Sequence, residues 1–223
     1  HERSRRQRQM CIRDSDYAAH DDVTVRSNLT GYEFTKEVAS TSSSDSGVAL
    51  GADPDWEDLL IGETVTYRLT ATFGEGTTDN VRIQDIIDPS QAALEIEGIV
   101  INPGANLSST AGAFSGLTPS FTDANVDGVN DQFTFDFGSV VNDASSSVAE
   151  ASELEILVTA RVVNTLANQN GDRIHNDATL FYDDEAGAQS LTDHEDVEIV
   201  EADLRVQNCL LYTSDAADDF VRV

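Results

Sequence analysis

Three polar side chains lie where the sequence pattern predicts the buried face of a β-strand. In each of three segments apolar and polar residues alternate, which is the two-residue period of a half-buried strand. One polar residue in each segment falls on the apolar side of that alternation: Lys36, Asp85 and Asn176. A buried polar group without a partner costs several kcal/mol, so we expect these three side chains to contact one another.

An amine, a carboxyl group and a carboxamide in one apolar site can exchange an amide bond. Burial lowers the pKa of a lysine and raises that of an aspartic acid, so neutral Lys36 and protonated Asp85 can coexist. The Lys36 amine then attacks the side-chain carbonyl of Asn176, while Asp85 polarises that carbonyl and transfers the proton as ammonia leaves. The resulting isopeptide bond closes a loop of about 140 residues, which by analogy with a disulfide stabilises the fold by about 5 kcal/mol.

Each of these residues also has an ordinary interpretation. A lysine at a strand margin usually extends its charge to solvent. Asn176 also suits a strand end, and Asp85 also suits the cap of a bend. Two further acids, Glu63 and Glu155, compete for the role of Asp85, although Glu155 falls on the polar side of its strand.

A second candidate site is an acidic loop at residues 123–131, with the sequence DANVDGVND. Ca²⁺ takes six to eight oxygen ligands, and alternate acidic or amide residues in a tight loop supply them. The predicted ligands are Asp123, Asn125, Asp127, the backbone carbonyl of Val129, and Asp131. Thr134 replaces the glutamate of an EF-hand and no helices flank the loop, so a full EF-hand is excluded. We predict Ca²⁺ binding at about 10⁻⁴–10⁻³ M, with an ordinary hydrophilic turn as the alternative.

The sequence contains no recognised catalytic motif, so we predict that the chain is not an enzyme. His20, His175 and His194 do not have the spacing of a zinc site. A nucleophile elbow, a phosphate-binding loop and a dinucleotide fingerprint are all missing from the sequence.

Charge and cysteine content narrow the class of protein. The 223 residues include 41 acidic and 13 basic ones, for a net charge of −28. Such a charge repels nucleic acid and anionic membranes, so neither is an expected partner, and no apolar run is long enough for a membrane helix. The two cysteines, Cys11 and Cys209, lie near the ends, so the rest of the chain has no disulfide or thiolate metal site. We expect an extracellular or cell-surface location.

Patterns with a two-residue period dominate the chain, and helical patterns are nearly absent. The clearest predicted strands are residues 64–73, 133–137 and 154–162. Weaker strands are predicted at residues 32–40, 81–87, 94–101, 174–181 and 197–200. Clusters of Gly, Asn, Asp and Ser separate them. Many short strands with one buried face predict an all-β fold, an antiparallel immunoglobulin-like β-sandwich.

An internal echo indicates tandem repeats. The sequence HDDV at residues 20–23 is similar to HEDV at residues 194–197, about 174 residues later. We interpret residues 16–30 as the tail of a preceding repeat, 31–200 as one full repeat and 201–208 as the start of the next. Chance similarity of two acidic segments is the alternative.

The two ends resemble translated sequencing-adapter sequence. The N-terminal stretch reads RRQRQMCIRDS and the C-terminal one CLLYTSDAADD. We therefore predict that residues 1–15, expected to be disordered, and residues 209–223 are artefacts, and exclude them from the fold. The chain is then a fragment of a longer protein.

Four segments together resemble a known family. They are FTKEV at 34–38, IGETVTY at 61–67, NVRIQD at 80–85 and IHNDAT at 174–179. Their order and spacing resemble the isopeptide-forming fimbrial-type repeats of bacterial surface and adhesion proteins, over about residues 32–200, although residues 94–151 depart from the family pattern. The resemblance implies tandem immunoglobulin-like sandwiches, some of them locked by a lysine–asparagine isopeptide bond.

We therefore predict a structural stalk or repeat domain of a secreted or cell-surface adhesin-like bacterial protein. Its expected partners are neighbouring repeats of the same chain and a host or cell-surface ligand. The alternative is a calcium-dependent module that binds carbohydrate or another ligand within a larger extracellular protein. That alternative needs exposed aromatic side chains, for which Trp56 and Tyr182 are the candidates.

Overall fold

Strands make up nearly all of the regular structure. The computed structural model describes residues 31–43, 56–88, 94–124, 126, 128–143, 148–166 and 168–201. Within these ranges the strands are β1 (Glu33–Thr41), β2 (Glu57–Leu60), β3 (Thr64–Thr72), β4 (Gly76–Ile87), β5 (Leu94–Pro103), β6 (Leu107–Ser109), β7 (Ser120–Thr122), β8 (Gln132–Asn142), β9 (Glu153–Val162), β10 (Arg173–Asp184) and β11 (Gly187–Val200). Two 3₁₀ turns lie at Phe114–Gly116 and Ala149–Ser152. Among the described residues, no helix has the length and apolar character needed to cross a membrane.

The strands form two sheets. In the first sheet the order is β1-β3-β9-β5, and all neighbouring pairs are antiparallel. In the second sheet the order is β2-β11-β10-β4-β8-β6, and β7 also pairs with β8. The first sheet has the A-B-E-D order of an immunoglobulin constant-type domain, and β4, β10 and β11 take the places of strands C, F and G. The predicted all-β, immunoglobulin-like sandwich is confirmed.

Two additions extend the immunoglobulin plan. Strands β6, β7 and β8 lie in sequence between the equivalents of strands D and E, and they widen the second sheet beyond β4. They arise from residues 94–151, the section that departs from the family pattern. At the other edge β2 pairs in parallel with β11, so the prediction of a wholly antiparallel sandwich is wrong at this edge.

Alternating side chains from both sheets fill the space between them. The inward residues of the best-predicted strands are fully or almost fully buried: Val65, Tyr67, Leu69 and Ala71 in β3; Phe133, Phe135 and Phe137 in β8; Leu154, Ile156, Val158, Ala160 and Val162 in β9. The Phe135 ring lies 5.8 Å from Phe133 and 5.6 Å from Phe137, between ring centroids. Aromatic rings at these separations add to the stabilisation from buried area.

Strand β11 is much longer than the four residues, 197–200, that the sequence predicts. Its first ten residues, 187–196, are exposed or half-buried on both faces. Because neither face of this part of the strand is buried, an alternation of apolar residues does not mark it in the sequence. The strand is held instead by its antiparallel backbone pairing with β10 along the hairpin. The predicted flanking segments, residues 1–30 and 202–223, lie outside the described residues, and their assignment stays a prediction.

Strand β1 is an edge strand of the first sheet that also reaches the second sheet. The backbone N–H of Lys36 donates a hydrogen bond of 2.8 Å to Oδ2 of Asp193 in β11. Two residues further along, the pairing of β1 with β3 is shifted between Val38 and Ser40, an irregularity that bends a strand. The side chain of Lys36 is therefore held between the two sheets.

Gly104, which follows the end of β5, packs closely against the backbone of Glu150 and Ala151. A Cβ atom at this position would lie 2.4 Å from the Ala151 carbonyl oxygen and 2.5 Å from that of Glu150. Since these are backbone atoms, we expect Gly104→Ala to destabilise the fold by about 1–3 kcal/mol, measured as a lower midpoint in urea denaturation. Gly116→Ala is the matched control, because nothing lies within 4 Å of the added atom. Equal midpoints for both variants would contradict the packing described here.

Candidate functional site

The three polar residues singled out from the sequence come from three strands in two sheets. Lys36 lies on β1 of the first sheet, Asp85 on β4 and Asn176 on β10 of the second. In the β4–β10 ladder Asp85 is opposite Ala178, and Asn176 is opposite Ile87. Asp85 and Asn176 are therefore diagonal neighbours on one sheet face, and both side chains point into the sandwich.

The closest contact in the site joins Lys36 and Asp85. Nζ of Lys36 lies 2.8 Å from Oδ2 of Asp85, and the two side chains are 0% and 1% exposed. Nζ also lies 4.9 Å from the centroid of the Tyr67 ring on β3. The only lysine of the chain is thus enclosed between the sheets rather than extended to solvent.

Asn176 is the third residue of the site, and its side-chain amide is buried there. The residue is 0% exposed, and among the described residues neither its amide nitrogen nor its amide oxygen has a hydrogen-bond partner of good geometry. Oδ1 of Asp85 and the Tyr67 hydroxyl likewise have no hydrogen-bond partner of good geometry among the described residues. Desolvation raises the pKa of Asp85 and of Tyr67, and a contact with the Asn176 amide opposes that rise without reversing it. Four polar atoms without a partner of good geometry among the described residues are thus buried in this site, although an unpaired buried group usually costs about 1–3 kcal/mol.

Burial sets the protonation of this cluster. Desolvation lowers the pKa of Lys36 and raises the pKa of Asp85, in each case against the attraction between the two groups. Desolvation also raises the pKa of Tyr67. All three shifts favour the neutral form, because a charge is costly in a site without water. Burial therefore shifts the amine of Lys36 and the acid of Asp85 toward the uncharged forms that amide exchange with a carboxamide requires.

The two rival acids lie in other surroundings. The Glu63 carboxylate accepts hydrogen bonds from the backbone N–H groups of Ser43, at 2.8 Å, and Leu60, at 2.9 Å, so it ties together two loop ends. Glu155 is on an outer face, where Oε2 lies 3.0 Å from Nε of Arg68. Asp85 is the acid in contact with the lysine.

The acidic loop is described only in part. Asn125 and Asp127 lie outside the described residues. Oδ2 of Asp123 accepts a hydrogen bond of 2.9 Å from the Gly128 N–H, and Oδ2 of Asp131 accepts one of 2.9 Å from the Ala124 N–H. The two acids therefore fasten the loop at its two ends, and Asp131 is 5% exposed.

Two features of the structure are not among the site residues that the sequence predicts. Tyr67 is the first, although its inward position on β3 follows the same alternation that identifies Lys36. The second is a histidine cluster. The spacing of the histidines in the sequence does not predict a zinc site, yet the fold brings His175 and His194 together with Asp196 on the outer face of β10 and β11. The available signal was a His-x-Asp sequence on each of two predicted strands, which becomes a cluster only in the right cross-strand register.

The chain is similar to several solved structures, each at low sequence identity and a TM-score below 0.5. The major pilin subunit BcpA of Bacillus cereus is 12% identical, with a TM-score of 0.44, and the match covers 77% of this chain and 41% of the pilin. A C-terminal fragment of the major pilin GBS80 of Streptococcus agalactiae is 15% identical, with a TM-score of 0.44 and coverage of 76% and 56%. The collagen-binding subdomain of the Enterococcus faecalis surface protein ACE is 11% identical, with a TM-score of 0.39 and coverage of 75% and 95%.

These likenesses concern the fold. The chain spans less than two thirds of the length of either pilin. No protein-family model matches the chain, and no curated protein matches it.

Proposed function

We propose that this chain is a load-bearing repeat domain of a bacterial cell-surface protein, and that an isopeptide bond between Lys36 and Asn176 joins its two sheets. The observation that carries the proposal is the position of the only lysine. Its amine is fully buried, 2.8 Å from Asp85, beside an asparagine whose amide has no partner of good geometry among the described residues.

The reaction balances within the three residues. The lone pair of neutral Lys36 Nζ attacks Cγ of Asn176, while protonated Asp85 donates a hydrogen bond to the amide oxygen and stabilises the charge that develops there. The proton lost by Nζ passes through Asp85 to the amide nitrogen. The old C–N bond breaks, ammonia leaves, and a C–N bond to Nζ remains. The step needs no oxidant, reductant or cofactor.

The bond would also relieve the two unpaired atoms of Asn176. Loss of ammonia eliminates the amide nitrogen of Asn176 that has no partner of good geometry among the described residues. The remaining carbonyl oxygen becomes the natural acceptor for the Asp85 acid. The cost of burying these groups is therefore highest before the reaction and lowest after it, so the fold favours the cross-linked state.

The position of the bond fits a mechanical role. Lys36 lies on the first strand of the domain, and Asn176 lies on β10, which pairs with the last strand, β11. A pulling force that enters at β1 and leaves at β11 would meet a covalent link between the sheets after only a short stretch of chain. The high negative charge and the absence of cysteine from the described residues support an extracellular setting, where such a link does not depend on redox conditions.

The alternative role in ligand binding has less support. Tyr182 is 7% exposed and packs on Tyr32, with ring centroids 4.3 Å apart. Arg173 lies over the Trp56 ring, 4.9 Å from its centroid. The two aromatic residues considered for a binding platform are therefore both covered by neighbours.

The bond is tested by the intact mass of the purified chain. We expect the wild-type protein to be lighter than its sequence by one ammonia, and Lys36→Ala and Asn176→Ala to have their full masses. Asparagine before glycine also loses ammonia by cyclising, and Asn170 precedes Gly171, so Asn170→Ala is the control that must keep the deficit. A peptide containing both residue 36 and residue 176 after proteolysis gives the direct proof. A full wild-type mass would overturn the proposal.

The role of Asp85 is tested by Asp85→Asn, which keeps the size of the side chain but removes the acid. General acid–base catalysis contributes about 10²–10⁴-fold, so bond formation should slow by that factor, followed by mass spectrometry over time after refolding. Glu63→Gln, which changes the rival acid, should form the bond at the wild-type rate. Equal rates for Asp85→Asn and wild type would remove Asp85 from the mechanism.

We also propose that the loop at residues 123–131 binds Ca²⁺, supported by the two carboxylates that fasten its ends. Calorimetry should give a dissociation constant of about 10⁻⁴–10⁻³ M, and Asp123→Asn should weaken binding several-fold. The exposed acid Glu33, on β1, supplies the control Glu33→Gln, which should bind as wild type. If both variants lose the same affinity, the ion is held only by the general negative charge.

A further inference from the structure

The outer face of the β10–β11 hairpin carries a compact group of histidines and aspartates. Each strand contributes a His-x-Asp sequence, His175 and Asp177 on β10 and His194 and Asp196 on β11. The strands are antiparallel, and their register places His175 opposite Asp196 and Asp177 opposite His194. Since residues two apart share a sheet face, the four side chains form a two-by-two patch in which each histidine faces an aspartate.

The distances within this patch are those of a site that needs little rearrangement to bind an ion. One ligand atom from each of His175, His194 and Asp196 lies within 4.8 Å of the others, and the two imidazole rings are 4.9 Å apart between centroids. Zn²⁺ binds nitrogen and oxygen ligands at about 2.0–2.2 Å, which puts tetrahedral ligand atoms about 3.4 Å apart. Small side-chain rotations close that difference.

The neighbouring groups are arranged to orient these ligands. Nδ1 of His175 lies 2.6 Å from Oδ1 of Asp196, and Nε2 of the same ring lies 3.1 Å from Oδ1 of Asp177. To bind an ion shared with Asp196, Nδ1 would release its proton to solvent, while Nε2 would keep its proton and donate a hydrogen bond to Asp177. Metal-binding histidines commonly donate their second ring N–H to a carboxylate in this way.

Arg173 fixes the carboxylate of Asp196 from the side. Its Nε donates a hydrogen bond of 2.9 Å to Oδ1, and its terminal nitrogen contacts Oδ2. These contacts hold the carboxylate in place, although the arginine also puts a positive charge near the proposed ion.

A His-x-Asp sequence like that of β11 also occurs near the start of the chain. Residues 20–22 read His-Asp-Asp, and residues 194–196 read His-Glu-Asp. The His-x-Asp spacing thus recurs at the position expected for the last strand of a preceding repeat, which a purely local surface network does not require. Residues 20–22 lie outside the described residues, so this observation concerns the sequence alone.

We propose that His175, His194 and Asp196 bind a divalent transition-metal ion such as Zn²⁺, with Asp177 as a positioning residue and water completing the coordination. Two imidazoles and one carboxylate suit such ions better than Ca²⁺ or Mg²⁺, which prefer oxygen ligands. The ion would clamp β10 to β11 on the outer face. This clamp is independent of the proposed isopeptide bond, which lies on the inner face.

The test is titration of the full chain with Zn²⁺ by calorimetry, and with Co²⁺ by visible absorption. Both cysteines are first replaced, as Cys11→Ser and Cys209→Ser, so that no thiolate contributes. We expect the intense absorption of low-symmetry Co²⁺ and stoichiometric Zn²⁺ binding that excess Ca²⁺ does not displace. His194 is exposed, so His194→Ala should leave the circular dichroism spectrum unchanged while Zn²⁺ affinity falls about 100-fold or more. Asp177→Asn should cost about tenfold.

His20→Ala is the matched control, because it removes a histidine with the same His-x-Asp spacing that is not one of the three proposed ligands. It should leave the Zn²⁺ affinity unchanged. The proposal is overturned if His194→Ala and His20→Ala bind Zn²⁺ equally, if Ca²⁺ displaces the ion, or if Co²⁺ gives no new absorption at millimolar concentration. The ion pairs and hydrogen bonds of the patch would then serve the hairpin without a metal.

Discussion

The contact between Lys36 and Asp85, removed from water, is the constraint on which the rest of the structure depends. It bridges the two sheets at the point where β1, β4 and β10 meet. Removing one partner of such a buried pair leaves the other unsatisfied and costs about 3–5 kcal/mol, whereas an apolar pair of the same size would stabilise the core at least as well. Stability alone therefore does not explain a lysine and an aspartate here. The proposed amide exchange, which needs a neutral amine beside an acid, gives a reason for this pair.

The topology supplies the surroundings that this chemistry requires. Tyr67 on β3 covers the amine from one side, and the Asp85–Asn176 diagonal on β4 and β10 covers it from the other. The hydrogen bond from the Lys36 backbone N–H to Asp193 joins the edge strand to β11 at the residue that carries the amine. Strands β6, β7 and β8 widen the second sheet beyond β4 and bury Phe133, Phe135 and Phe137, and Phe133 lies opposite Asp85 in the β4–β8 ladder.

The alternation of apolar and polar residues is enough to predict that Lys36, Asp85 and Asn176 face inward, because this alternation is a local property of a strand. It was also enough to predict β3, β8 and β9, which carry apolar residues at every second position. The same signal could not find β2, which has two adjacent buried residues, or the first ten residues of β11, which are polar on both faces. Nor could it reveal which strands pair. The histidine cluster depends on register between β10 and β11 and so stayed hidden.

Strand β10 gives the two faces of the hairpin different chemistry. Its even-numbered positions, including Asn176, point into the dry space between the sheets, where a neutral amide and amine are favoured. Its odd-numbered positions, including His175 and Asp177, face the acidic surface, where charged ligands keep their hydration. Because residues of the two sets alternate along the strand, any force that displaces β10 would move both sets. A covalent link to β1 on one face and an ion shared with β11 on the other would resist displacement of the same strand in two directions, toward its sheet partner and across the sandwich.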